Sequence, residues 1–112
     1  MKGKKQASET TMNAKAVKLI NEMPQTFVRK RYSGPFRKGL PDITGISHGY
    51  PVEIEGKLHG NKLTLIQEKW QRQFKELGAI TGVYHTPQEA VEIIKNGLRE
   101  KIIASAVEFE IK

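Results

Sequence analysis

The 112-residue chain contains no cysteine, a single tryptophan, and no apolar run approaching the roughly 20 residues that a bilayer-spanning helix needs. Without cysteine, disulfides and thiolate metal sites are excluded, and an intracellular setting fits. The opening Met1-Lys2-Gly3-Lys4-Lys5 is basic but has no apolar stretch behind it, so no signal peptide and no membrane association are expected, and the expected location is the cytoplasm. Histidine is scarce: His48, His59 and His85 match no zinc spacing and read as surface residues, with His59 in reach of a phosphate. There are no internal repeats.

Acid is scarce in the first third of the chain. Before Asp42, ten Lys/Arg face two acids, Glu9 and Glu22; from Asp42 onward nine bases meet ten acids, so the whole net charge of +7 resides in the leading segment. A solvated, solubilising face is one explanation. A polyanion partner, gained through counterion release, is the favoured one. Hydrophobic residues make up 38% of the chain, enough for one compact domain with a modest core. So small a domain would gain stability from association into a dimer.

Residues 1–7 read as a disordered basic tail and 8–112 as one domain. Ser8, Thr10 or Thr11 caps a first helix running to about Met23, with Ala14, Val17, Leu19 and Ile20 as its apolar side and Pro24 as its stop. Residues 25–32 read as a strand, 33–39 as a Gly-rich cationic loop, 42–46 as a short strand and 47–49 as a turn. Residues 51–58 form the clearest strand. Thr64-Leu65-Ile66-Gln67 is a capping box opening a helix, with Ile66, Trp70, Phe74 and Leu77 at helical spacing and Gly78 as its end. Trp70 and Phe74 read as core rather than as base-stacking platforms. Residues 79–85 read as a strand. Thr86-Pro87-Gln88-Glu89 opens a last helix carrying Val91, Ile94 and Leu98 and closing near Gly97. Residues 102–106 are ambiguous, and 107–111 alternate strictly, as an edge strand would. The order α-β-β-β-α-β-α, with a final strand at 107–111, predicts an α/β sandwich on a mixed sheet.

The chemistry concentrates on the 51–58 strand. Glu53, Glu55 and Lys57 lie two apart and project from one face, whereas Val52 and Ile54 project from the other. Lined-up charges in a partly dry site need partners or a cation. Asp42 opens the neighbouring strand, and a hairpin pairing would bring it to Glu55. Two close carboxylates cannot both ionise cheaply, and a hard divalent cation such as Mg²⁺ or Mn²⁺ relieves the conflict. A metal held by carboxylates activates water and polarises a phosphate, while an adjacent lysine offsets developing charge. Asp42, Glu55 and Lys57 therefore form a minimal kit for phosphodiester hydrolysis. Each also has a plain reading: Asp42 as a turn starter after Pro41, Glu55 with Lys57 as an exposed ion pair, Gln67 as the capping residue reaching back to Thr64. The capping and site roles of Gln67 compete for one amide. Glu53 is a spare ligand or a solvated neighbour. Arg29, Lys30 and Arg31 are candidate contacts to backbone phosphates, with Lys30 facing the metal site, or else edge-protecting charges. Arg37 and Lys38, in the loop before Asp42, are placed to grip a strand beside the scissile bond, and Lys62 is a further candidate.

Pro41-Asp42 followed by Glu55-Gly56-Lys57 resembles the signature of the PD-(D/E)xK nucleases. More narrowly, Asn61-Lys62-Leu63-Thr64 followed by Gln67, and Leu77-Gly78-Ala79-Ile80-Thr81-Gly82-Val83, resemble the virus-type replication-repair nuclease (VRR-NUC) domain over roughly residues 9–94. Gly60 lies one residue earlier than the family pattern. The resemblance implies a restriction-endonuclease-like core of a mixed sheet flanked by helices. It implies metal ligation by Asp42, Glu55 and the Gly56 carbonyl, catalysis by Lys57, a site completed by Gln67, and a first-helix glutamate for which Glu9 is the match. It further implies Mg²⁺ or Mn²⁺ dependence, with Ca²⁺ supporting binding but little cutting. The implied substrate is DNA, duplex or branched such as a four-way junction. The implied form is a homodimer of phage or viral type, in the host cytoplasm if phage-encoded, using residues 107–111 or the first helix as its dimer surface. The alternatives are a non-catalytic nucleic-acid-binding accessory protein and a sequence-specific restriction enzyme, for which the chain is short; an RNA substrate also stays open.

Overall fold

The computed structural model describes residues 8–32 and 38–111, the last three by their backbone alone. The basic tail at 1–7 and the loop residue Arg37 lie outside the described residues.

Helix α1 (Glu9–Ile20) starts at Ser8, whose hydroxyl accepts the Thr11 N–H at 3.1 Å. It ends at Ile20, three residues before the expected Met23, with Asn21 as its C-cap. The Asn21 amide then grips the Val28 backbone on both sides, accepting its N–H at 2.8 Å and donating to its carbonyl at 2.9 Å. This fastens α1 to β1 (Thr26–Lys30). The face that α1 buries is Met12, Asn13, Ala16 and Ile20, with Val17 packed against the core; of the expected apolar side, Ala14 is exposed.

Strands β2 (Ile43–Ser47) and β3 (Tyr50–Gly56) are joined by His48-Gly49, both at positive φ (51° and 86°). Two left-handed residues make a type I′ turn, whose twist matches a tight hairpin and fixes its register. Ser47 pairs with Tyr50 and Ile43 with Ile54. Strand β1 adds antiparallel to β2. Helix α2 (Leu65–Glu76) then carries the chain across to β4 (Ile80–Tyr84), which lies parallel to β3. The result is one mixed four-stranded sheet in the order β1-β2-β3-β4.

Alternation divides this sheet into two unlike faces. Val28, Ile43, Val52, Ile54, Ile80 and Tyr84 share one face and form the core with Met12, Ala16 and Ile20 of α1 and Ala90 and Ile94 of α3 (Pro87–Ile111). The opposite face carries Arg31, Thr44, Glu53 and Glu55. Among the described residues, helix α2 covers it, packing on β3 and β4. That explains a departure from the expected apolar stripe on α2: no α2 residue is fully buried, Trp70 and Phe74 are half-buried against each other, and Leu77 stands in solvent. A helix laid on a polar sheet face has little apolar surface to bury against.

The last helix corrects two expectations. Gly97 does not end α3, and residues 107–111 are helical rather than an edge strand. Gly97 sits inside the helix because α3 passes close to β4 there; a Cβ would stand 2.5 Å from Ile80 Cγ2 and 3.0 Å from its Cγ1. Beyond it no proline interrupts the helix, and extending a formed helix is easier than nucleating a new strand. No transmembrane span occurs among the helices of the described residues.

Gly97→Ala separates helix propensity from packing. Propensity alone would stabilise the helix by about 1 kcal/mol. Forcing a methyl into a buried isoleucine costs about 1–3 kcal/mol. We expect a net loss, measured as a lowered midpoint in urea unfolding.

Candidate functional site

The hairpin register assembles the site. One step beyond the Ile43–Ile54 pair, Asp42 stands opposite Glu55. Asp42 is held from both neighbours: its carbonyl accepts the Arg31 N–H at 2.7 Å, and its Oδ2 accepts the Gly56 N–H at 3.2 Å. Gly56 is required there because its other side is filled; a Cβ would collide with Asn13 Oδ1 and the Tyr84 ring. Lys57 follows, its N–H bonded to the Tyr84 carbonyl, so β3 and β4 remain joined through the site.

Gln67, in the first turn of α2, serves both roles that the sequence set in competition. Its Oε1 accepts the Thr64 N–H at 2.9 Å, completing the capping box, while its Nε2 donates to Glu55 Oε2 at 3.2 Å. The two ends of one amide divide the work. Glu9, at the start of α1, accepts the Leu58 N–H at 3.3 Å, and its charge is felt by Glu55. The structure thus brings Asp42, Glu55, Lys57, Gln67 and Glu9 together.

Glu55 is 3% exposed and is the electrostatic centre of the group. Its carboxyl is pushed up to about 9, first by burial, then by the charge of Asp42 and a hydrogen bond to it, with Glu9 adding to the rise and Lys57 opposing it. When both carboxyls are ionised, Glu55 Oε1 is buried with no donor to satisfy it. A shared proton or a cation supplies what is missing. Among the described residues no three His, Asp or Glu side chains converge as a metal-binding group. A cation here would need backbone oxygen or water besides Asp42 and Glu55, a donor set that suits Mg²⁺, which retains several waters.

The remaining candidates separate. Arg29, Lys30, Lys38 and Lys62 are exposed. Arg29 and Lys30 line a cleft with Glu9, Tyr32 and Asp42, so positive charge flanks the carboxylates on the β1 side, with Lys30 on the α1 side of the sheet. Arg31 is different: its guanidinium is engaged by Glu53 at 2.9 Å and by the Pro41 carbonyl at 3.0 Å. Glu53 correspondingly is not solvated: it is buried against Arg31 and also accepts from Thr44 Oγ1 at 2.6 Å. A larger, mostly apolar hollow between the end of α1 and α3, lined by Leu19, Met23, Val91 and Leu98, contains none of these groups.

A solved structure described as "VRR_NUC domain" matches this arrangement with a TM-score of 0.63, covering 78% of this chain and 94% of its own. The chain has the VRR_NUC fold. Identity over the match is 24%, so the likeness is one of architecture. No family model matches the sequence, and no curated protein does. Within the VRR_NUC fold, two contacts escaped sequence reasoning. Tyr84 donates its buried hydroxyl to Asn13, and its ionisation is strongly opposed by burial and by the charges of Asp42, Glu55 and Glu9. The Arg31–Glu53 pair is the other. The one sequence signal for the first is that Asn13 lies a helical turn after Glu9; Arg31 and Glu53 are 22 positions apart with no local cue.

The raised Glu55 carboxyl fixes a pH dependence. The folded state holds this proton to higher pH than the unfolded chain does. Its stabilising effect is therefore complete below the ordinary glutamate range and is lost as pH rises through about 9. Glu55→Gln removes the ionisation. In EDTA we expect it to match wild type near pH 4 and to exceed it by several kcal/mol at pH 8.5. Thermal melts at both pH values would show this; an advantage independent of pH would contradict it.

Proposed function

We propose that this chain is a metal-dependent endonuclease hydrolysing DNA phosphodiester bonds at Asp42, Glu55 and Lys57. The observation that carries the reading is the buried Glu55 carboxylate, opposed by Asp42, held by Gln67 and left with one oxygen unsatisfied. Such a pair supports a cation-binding reading in which backbone oxygen and water complete the donor set. Asp42, Glu55 and the Gly56 carbonyl would hold Mg²⁺ or Mn²⁺, with Glu9 at the margin. When bound, such an ion acidifies a water and withdraws charge from the phosphate.

The protein's own groups account for the rest. Gln67 fixes the orientation of Glu55 and is itself fixed by the capping box. The Lys57 ammonium, close enough to lower the Glu55 carboxyl, holds the attacking water or offsets charge developing on the phosphate. Arg29, Lys30, Lys38 and Lys62, together with Arg37, would hold the nucleic-acid backbone beside the site. The VRR_NUC fold supports a nuclease. A branched substrate such as a four-way junction, action as a homodimer, and a cytoplasmic setting, that of the host if phage-encoded, are extensions of the family resemblance.

The test is cleavage of labelled junction, flap, single-stranded and duplex DNA with Mg²⁺, Mn²⁺ or EDTA. Wild type should cut only with the metals. Lys57→Ala should lose roughly 10²–10⁴-fold in rate while still binding DNA. Undiminished metal-dependent cutting by the variant would refute the role of Lys57. An absence of cutting by wild type on every substrate would favour a non-catalytic binder of nucleic acid.

A further inference from the structure

The first strand supplies the site with a support that lies outside the carboxylate signature. Arg31 follows β1, yet its guanidinium reaches across two neighbouring strands. Nη1 donates to the Pro41 carbonyl at 3.0 Å, the peptide that leads into Asp42. The same Nη1 donates to Glu53 Oε1 at 2.9 Å, and Nη2 to Glu53 Oε2 at 3.3 Å. Glu53 lies on the same face of β3 as Glu55 and two residues before it. The Arg31 backbone adds a third hold, its N–H donating to the Asp42 carbonyl at 2.7 Å. Thr44 Oγ1 completes the set on Glu53 at 2.6 Å, and the Phe74 ring of α2 lies 6.0 Å beneath the guanidinium.

These contacts converge on the two segments that must stay in register for Asp42 to face Glu55. A planar fork that binds a carboxylate at two points and a carbonyl at a third fixes distance and angle together, which a lysine ammonium does not. The side chain is only 17% exposed, so it is turned inward rather than toward a bound polyanion. We propose that Arg31 and Glu53 act as positioning residues that hold the Asp42 segment against β3 and so set the spacing of the two metal-binding carboxylates. Their role is therefore not phosphate binding for Arg31 and not ligation for Glu53. The inference rests on the metal-dependent reading of Asp42 and Glu55.

A pair of substitutions separates positioning from both phosphate contact and general stability. Arg31→Met alone strands a buried carboxylate and is prone to unfold, so the informative protein is the double variant Arg31→Met/Glu53→Met, which removes both charges and keeps the volume. Two quantities are read besides folding: the dissociation constant for Mn²⁺ by calorimetry without DNA, and the salt dependence of binding to a DNA duplex in Ca²⁺. We expect the double variant to stay folded, to bind Mn²⁺ about tenfold more weakly, and to keep the wild-type salt slope. Arg31→Lys, which retains charge but not the fork, should also weaken Mn²⁺ binding. Unchanged Mn²⁺ affinity in the double variant would overturn the positioning role. So would a salt slope reduced by about one phosphate contact, which would assign Arg31 to the DNA backbone. Should wild type bind no Mn²⁺, the metal-site reading itself fails, an outcome distinct from either of these.

Discussion

The turn at His48-Gly49 closes β2 onto β3 in one register, and the candidate site depends on that register more than on any single contact. A slip of one residue would move Asp42 off Glu55 and turn Glu53, Glu55 and Lys57 toward the apolar core beneath α1. Neither consequence is tolerable. Carboxylates would enter a dry core, and Val52 and Ile54 would leave it. The hydrophobic pattern and the charged site thus enforce the same pairing, which is the consistency across levels that marks a specified fold.

The same alternation explains why one sheet face is well packed and the other is not. Beneath α1 and α3 lie Val28, Ile43, Val52, Ile54, Ile80 and Tyr84, all buried. Under α2 lie Arg31, Thr44, Glu53 and Glu55, satisfied mainly by one another. A face so constituted contributes little hydrophobic stabilisation. Its value is to hold ionisable groups out of water in fixed positions. The residual imbalance falls on Glu55, whose carboxyl resists ionising next to Asp42 and whose Oε1 lacks a partner. Perturbed carboxyls of this kind cluster at functional sites.

Much of this was legible in the sequence because local signals were strong. The capping box at Thr64–Gln67, the period-two pattern around Val52 and Ile54, and Pro87 at the head of α3 each indicated an element that the structure contains. Asp42, Glu55, Lys57 and Gln67 stood out for the same reason, since spacing along a strand and a helix cap are both local. The errors arose where a distant neighbour decides. Gly97 reads locally as a helix end because the approach of Ile80 cannot be seen along the chain. Residues 107–111 alternate, yet they continue a helix already formed. The pairing of Arg31 with Glu53 has no local cue because the two lie 22 residues apart. Gln67 looked overcommitted because its two amide ends were counted as one.

The most direct measurement is calorimetric titration of Mn²⁺ into the protein at pH 8, repeated in two buffers of different ionisation enthalpy. If a cation displaces the proton held at the Asp42–Glu55 pair, wild type binds one ion per chain and releases close to one proton. Asp42→Asn should abolish both signals. Binding without proton release, or binding undiminished in Asp42→Asn, would contradict the account.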